Sequence, residues 1–309
     1  SKVGGAAYLH ELAGIPTTTT NAGYPAELVK NAARRRTLIE VGTRLVNRGF
    51  ASEGTVDELE DSARRELEAA TSHAGRSVRR VGEAFRSIID SLEAKPEFYP
   101  TPWGSIDRLI GGFAPGSLNV VAARPGQGKT IALLQIAAKL ARSGMVAFNS
   151  LEMTEQELGV RLISHFGEVH MQSLRNHTLT QIEWKRVAEA VHAAGEAPIF
   201  INDAGAQTLS SIRQHARAVA RRGKLTGIAV DYLELVHGEG PDRRVVVDAT
   251  SRGLKQIAKD FNVPVIAAAQ LSRPQQSRGG PVEPTLASLR EAGGIEQDSD
   301  VVMLLHRDA

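Results

Sequence analysis

The run Ala123-Arg-Pro-Gly-Gln-Gly-Lys-Thr130 lies between an apolar stretch, Leu118 to Ala123, and a helix-forming one, Ile131 to Ala141. A strand, a glycine turn and a helix start in that order make an anion site. Unpaired backbone N–H groups of the turn and of the first helical turn converge on one place. Lys129 adds a mobile positive charge suited to β- and γ-phosphates, and Thr130 puts a hydroxyl where a phosphate-bound Mg²⁺ needs an oxygen ligand. The run departs from the strict G-x-x-x-x-G-K-[ST] pattern at its first position, Ala123, but Gly126 inside the loop can supply the close backbone approach and Pro125 fixes φ. The bland alternative is a chance Gly-Lys-Thr at a helix start, and the strand-to-helix setting argues against it. Arg124, Pro125, Gly126, Gln127, Gly128, Lys129 and Thr130 are the expected nucleotide-binding residues.

A phosphate site alone hydrolyses nothing; phosphoryl transfer also needs a metal partner and a group that orients the attacking water. Gly227-Ile-Ala-Val-Asp231 is an apolar strand that ends in a carboxylate, and Asp231 is expected, with Thr130, on the metal side of the site. The next residue is Tyr232, where many related ATPases place a glutamate, so the water-orienting carboxylate has to come from elsewhere. Glu152, after the strand ending at Leu151, is the expected group, because the C-terminal ends of such strands face the ligand crevice. Glu234 is second choice. Gln270, closing Val263-Pro-Val-Ile-Ala-Ala-Ala-Gln, can hydrogen-bond a γ-phosphate; the pattern fits an ordinary strand-end glutamine equally well. Arg290-Glu-Ala-Gly-Gly-Ile-Glu-Gln-Asp-Ser-Asp300 offers Arg290 and glycine N–H groups to the phosphates of a strand, or is a plain solvent loop.

These groups need a scaffold. From Phe98 onward β and α segments alternate, which predicts an α/β domain with a mostly parallel sheet flanked by helices. Its strands are expected at Leu118–Ala123, Val146–Leu151, Pro198–Asn202, Gly227–Asp231, Val263–Gln270 and Asp300–Leu305. Residues 1–72 read as helical. Pro25 opens a helix whose stripe is Leu28, Ala32, Leu38, Val41, Leu45 and Val46, and a second helix over 56–70 makes a hairpin with it. Arg34-Arg35-Arg36 is read as a solvated face. Residues 73–97 form a linker with an amphipathic helix over 78–92. Its Val78, Val81, Phe85, Ile88, Ile89 and Leu92 must be buried against the same chain or a neighbouring subunit.

With 309 residues the chain suggests about two domains. At 42% hydrophobic and 23% charged residues it is globular rather than disordered or fibrous. The absence of cysteine excludes disulfides and thiolate metal sites; His165 and His170, five residues apart, do not share a helical face. A net charge of +2 neither demands nor excludes a nucleic-acid partner. With no apolar run near the ~18 residues of a membrane span and no signal-peptide pattern, the expected location is cytoplasmic, without membrane contact. The molecule is expected to extend past both Ser1 and Ala309.

Several stretches, in this order, resemble the DnaB-type replicative DNA helicases, whose motor is a RecA-like domain. They are Ala122 to Thr130, Ser150-Leu-Glu-Met-Thr154, Val230-Asp-Tyr-Leu233, Val263-Pro-Val-Ile266 with Gln270-Leu-Ser-Arg273, and Leu289 to Asp300. Gly4-Gly-Ala-Ala-Tyr-Leu-His-Glu-Leu12 and the helices after it are similar to the end of that family's helical N-terminal domain. The resemblance implies a homohexameric ring that uses ATP and Mg²⁺ to move 5′ to 3′ on single-stranded DNA and unwind the fork within a primosome, with primase and a loader as partners. It implies that Lys129 and Thr130 bind phosphate and metal, Glu152 activates water, Asp231 serves the metal, and Gln270 links the γ-phosphate to DNA. Arg290, Glu291 and Gly293 match the loop that follows the DNA backbone, with Ala292 where serine is common. The 78–92 helix matches the linker that docks on the adjacent subunit. The basic finger that enters a neighbour's ATP site is expected beyond Ala309, so residues 1–309 alone are expected to bind nucleotide but to turn it over poorly. A RecA-fold recombinase, a clock-type ATPase and a non-enzymatic docking module are the rival readings.

Overall fold

Mostly apolar runs suit strands covered on both faces, and here they pair into a six-stranded parallel sheet whose strands lie in the order Ile199–Asn202, Met145–Ser150, Leu225–Asp231, Val265–Gln270, Leu118–Ala123, Val301–Leu305. The computed structural model describes residues 23–51, 98–238, 240–271, 283–289 and 293–307, with scattered positions between 59 and 85. Two compact units divide the chain, Ser1–Glu93 and Ala94–Ala309. The first contains α1 (Gly23–Ala51). The second runs α2 (Gly104–Ile110), β1 (Leu118–Ala123), α3 (Lys129–Leu140), β2 (Met145–Ser150), α4 (Glu155–Gly167), α5 (Met171–Arg175), α6 (Gln181–Glu196) and β3 (Ile199–Asn202). It continues with α7 (Leu209–Ala220), β4 (Leu225–Asp231), α8 (Arg243–Phe261), β5 (Val265–Gln270), α9 (Gly293–Asp298) and β6 (Val301–Leu305).

Alternation along each strand splits the core in two. Leu118, Val120 and Ala122 of β1, with Val265, Ala267 and Ala269 of β5, pack under Ile212 of α7 and Leu254 and Ile257 of α8. Val121, Phe148, Ala229, Ile266 and Ala268 face the other way, against Leu133, Ile136 and Leu140 of α3 and Leu158 of α4. The helix that begins at the phosphate loop therefore lies directly on the sheet. Gly227 of the sheet leaves room for it, since a Cβ there would sit 2.6 Å from Leu140 Cδ1.

Five of the six strands start one or two residues away from expectation, and the two largest shifts, in β5 and β4, have identifiable reasons. β5 starts at Val265 rather than Val263, because Pro264 has no N–H to give; it contributes its carbonyl instead, to Ile228 N at 3.1 Å. β4 starts at Leu225 rather than Gly227. The polar Thr226 disguises the extension, but it is fully buried and its hydroxyl is satisfied by the carbonyls of Leu140 and Met145 at 3.0 and 3.1 Å.

In the first unit, Arg44 and Arg48 lie one turn apart on α1 and converge on Glu66, at 3.0 and 2.6 Å. Leu59, Ser62, Ala63, Glu66, Leu67 and Ala70 are helical, within the second helix expected over 56–70. Arg35 and Arg36 are exposed. Of the stripe expected on α1, Val41 is buried, whereas Leu38 and Val46 remain 42% and 57% exposed. The helix expected over 78–92 lies outside the described residues except for Gly82 and Phe85, both helical.

Candidate nucleotide site

The phosphate loop is shaped by backbone that only glycine adopts without strain. Gly126 has φ +77° and Gly128 φ +93°, both left-handed, and neither would meet a neighbour through an added Cβ. Conformation rather than space selects glycine there. Gln127 N donates to Arg124 O at 3.2 Å to close the turn, and Ala132 N donates to Gly128 O at 3.0 Å to start α3. No side chain caps that helix, so its first N–H groups stay available to an anion. Lys129 is 8% exposed, and its Nζ rests 4.3 Å from the centroid of the Tyr232 ring.

Sheet register brings the other groups level with this loop. Ala123 lies opposite Gln270, and Ser150 opposite Asp231. Leu271 N donates to Ala123 O at 3.0 Å and Leu151 N to Asp231 O at 2.8 Å, so β1, β5, β4 and β2 end together. Asp231 is fully buried, and neither carboxylate oxygen has a hydrogen-bond partner. Burial pushes its carboxyl above the usual range, and the nearby Glu152 charge adds to this; the Thr130 hydroxyl, outside hydrogen-bonding geometry, and Lys129 and Arg161 oppose it. An orphaned buried carboxylate beside a threonine hydroxyl fits a hard cation carried in with phosphates. Among the described residues no cluster of three or more His, Cys, Asp or Glu could hold a metal ion.

Glu152 stands exposed just past β2. Its turn is fastened by Ser150, whose hydroxyl donates to Met153 O at 2.6 Å and accepts from Met153 N at 3.2 Å. Gln207 secures the same strand end: fully buried, its Nε2 donates to Ser150 O at 2.9 Å and Asn202 O at 3.0 Å. Neither Gln207 nor the Tyr232 contact with Lys129 was expected from sequence; the one signal for Gln207 is a polar residue where the chain re-enters the fold between β3 and α7. Gln207→Ala would leave two carbonyls without that donor and is expected to destabilise the protein by roughly 1–3 kcal/mol, measurable by urea denaturation.

Gln270 is exposed at the end of β5. Glu234 accepts the Gln270 main-chain N–H at 2.7 Å through Oε1, while Oε2 is buried and unpartnered. Burial raises the Glu234 carboxyl above its usual range. Gly293, at the start of α9, borders a hollow of about 270 Å³ shared with Arg244, Asp248 and Arg252 of α8. The loop is fixed there by Gly294 N donating to Asp248 Oδ1 at 2.9 Å and by Ser251 Oγ donating to Gly294 O at 3.3 Å. Arg290 and Glu291 lie outside the described residues.

A phosphate loop following one inner strand, with the acid at the end of a strand one removed from it in an all-parallel sheet, defines a P-loop ATPase of the RecA-like type. Residues 99–309 match the family model described as the DnaB-like helicase C-terminal domain. The chain is 37% identical to the replicative DNA helicase DnaB of Leifsonia xyli subsp. xyli, over 100% of this chain and 70% of that one. It is 34% identical to the replicative DNA helicase DnaB of Geobacillus stearothermophilus, over 99% and 70%. A solved DnaB-like replicative helicase, reported with its interactions with primase, superposes with a TM-score of 0.73 at 26% identity, over 98% of this chain and 72% of that one. The chain belongs to the DnaB family of replicative DNA helicases, which unwind DNA at the expense of ATP.

Proposed function

We propose that this protein works as a homohexameric ring that encircles single-stranded DNA, moves along it 5′ to 3′ and opens the fork, each step driven by ATP held between adjacent subunits. The observation that supports this best is the convergence of the phosphate loop, Asp231, Glu152 and Gln270 on the ends of four neighbouring strands. In this reading Arg124 to Gly128 wrap the triphosphate with backbone N–H groups, and Lys129 leaves Tyr232 to meet the β- and γ-phosphates. Thr130 and Asp231 hold Mg²⁺, which when bound neutralises phosphate charge. Glu152 accepts a proton from water as its oxygen attacks the γ-phosphorus, the β–γ bridging bond breaks and ADP leaves. Gln270 senses the γ-phosphate, and Arg290, Glu291 and Gly293 follow the DNA backbone.

Residues 1–72 serve in this scheme as the helical region that pairs subunits and meets primase. Residues 73–97 are the linker docking on the next subunit, and 98–309 are the motor. The apolar surface left on α1 by Val29, Ile39, Val46 and Phe50 suits the first role. A loader that places the ring on DNA and a cytoplasmic site of action complete the reading. No helix among the described residues is long and apolar enough to cross a membrane. Forked DNA with a single-stranded 5′ tail tests the scheme: the intact protein is expected to separate it with ATP and to leave a fork with only a 3′ tail closed. Opening of the 3′-tailed fork, or strand exchange by an open filament, would overturn it.

A further inference from the structure

Parallel strands β4 and β5 are paired from Ile228 with Val265 to Val230 with Ala267. Past Ala267 the β5 strand runs on for three residues to Gln270, while the chain leaving β4 turns into a short 3-10 helix, Leu233–Leu235. Backbone N–H groups of β5 alternate in direction. Val265 and Leu271 donate toward β1, to Ser117 O at 2.9 Å and Ala123 O at 3.0 Å, so the N–H of Gln270 points to the β4 side. No strand remains there to receive it. Glu234 does so, with Oε1 at 2.7 Å. A carboxylate thus stands in for the missing strand at the point where the sheet opens. The last residue of β5 is gripped from two sides, by the phosphate strand β1 and by the segment that follows Asp231.

We propose that Glu234 is a positioning residue that fixes Gln270 at the γ-phosphate end of the ATP site by accepting its main-chain N–H. The inference rests on the ATP-site reading given above and adds to it a second carboxylate with a different task from Glu152. Water activation does not suit Glu234. Its Oε1 is already committed to the backbone, its Oε2 is buried, and Glu152 is the carboxylate that stands exposed at the crevice. What the position requires is an acceptor oxygen at that reach, which an amide supplies as well as a carboxylate does.

Steady-state ATP hydrolysis by the intact protein with single-stranded DNA tests this, with Lys129→Ala as the inactive control and urea denaturation of every variant. Glu234→Ala frees the end of β5 and is expected to lower kcat about 10- to 100-fold with the KM for ATP within about twofold of wild type. Glu234→Gln keeps the acceptor and is expected to retain at least about half of the wild-type kcat. Combining Glu234→Ala with Gln270→Ala should cost no more than the more damaging of the two alone, because one acts through the other. If the alanine variant does not fold, the near-isosteric glutamine variant decides. A fall in its kcat as deep as tenfold would make the carboxylate a base or an obligatory charge and overturn the proposal. Wild-type kcat in Glu234→Ala, or additive losses in the double variant, would overturn it as well. Failure of the wild-type protein to hydrolyse ATP would instead defeat the ATP-site reading itself.

Discussion

Lys129→Ala is expected to abolish fork unwinding and to lower ATP turnover by at least about 10²-fold, the scale on which preorganised electrostatic contacts to a transition state act. The side chain is nearly buried, and among the described residues no ion pair closes on it; the Tyr232 ring is what holds its ammonium. A cation–π contact of this kind contributes on the order of 0.5–2 kcal/mol. That is enough to store the charge beside the loop and too little to compete with a triphosphate. The fold should survive, since α3 is held to the sheet by Leu133, Ile136 and Leu140 rather than by its first residue. Lys129→Arg should rescue little, because a planar fork does not replace a compact ammonium. Fork-separation and ATPase assays with a urea-denaturation control decide the matter. Fork opening that persists in Lys129→Ala would show that the loop is not where the driving triphosphate sits.

How much of this could be read from the chain alone varied with what each feature depends on. The sheet was legible because parallel strands covered on both faces are mostly apolar, and β1 was predicted with its observed ends. Where the pattern was interrupted, at Pro264 and Thr226, the boundaries moved. A missing N–H or a hydroxyl satisfied by distant carbonyls leaves no local periodicity to read. The phosphate loop was legible because its chemistry is local, a turn and the helix after it. Convergence of Asp231, Glu152 and Gln270 followed from the rule that such strands present their C-terminal ends to the ligand. What escaped were contacts set by register between remote segments: Lys129 over Tyr232, Gln207 under Ser150, Glu234 beneath Gln270. Each joins residues whose relation exists only once the strands have been ordered. Of the stripe expected on α1 only Val41 is buried among the described residues, because burial depends on how much partner surface is present, which periodicity does not encode.

The second large effect separates the two carboxylates, Glu152 and Glu234, of the proposed ATP site. Glu152→Gln removes a proton acceptor while keeping the shape of the side chain, and is expected to lower kcat by about 10²–10⁴-fold, the contribution of a well-placed general base. ATP affinity should change by no more than a few-fold, because the loop N–H groups and Lys129 still hold the phosphates. Glu152 has what that task needs: it is exposed to water and sits on a turn fixed by Ser150 and Met153, and its charge is felt at both Asp231 and Tyr232. Glu234 is hydrogen-bonded to the backbone of Gln270 and has a buried second oxygen, so it lacks a free face for water. The same Glu-to-Gln change should therefore be severe at position 152 and mild at position 234. Pre-steady-state hydrolysis and nucleotide binding measured on both variants give the comparison directly. A Glu152→Gln protein that turns ATP over at the wild-type rate would move the water-activating role off β2, and the contrast with Glu234 would then have to run the other way.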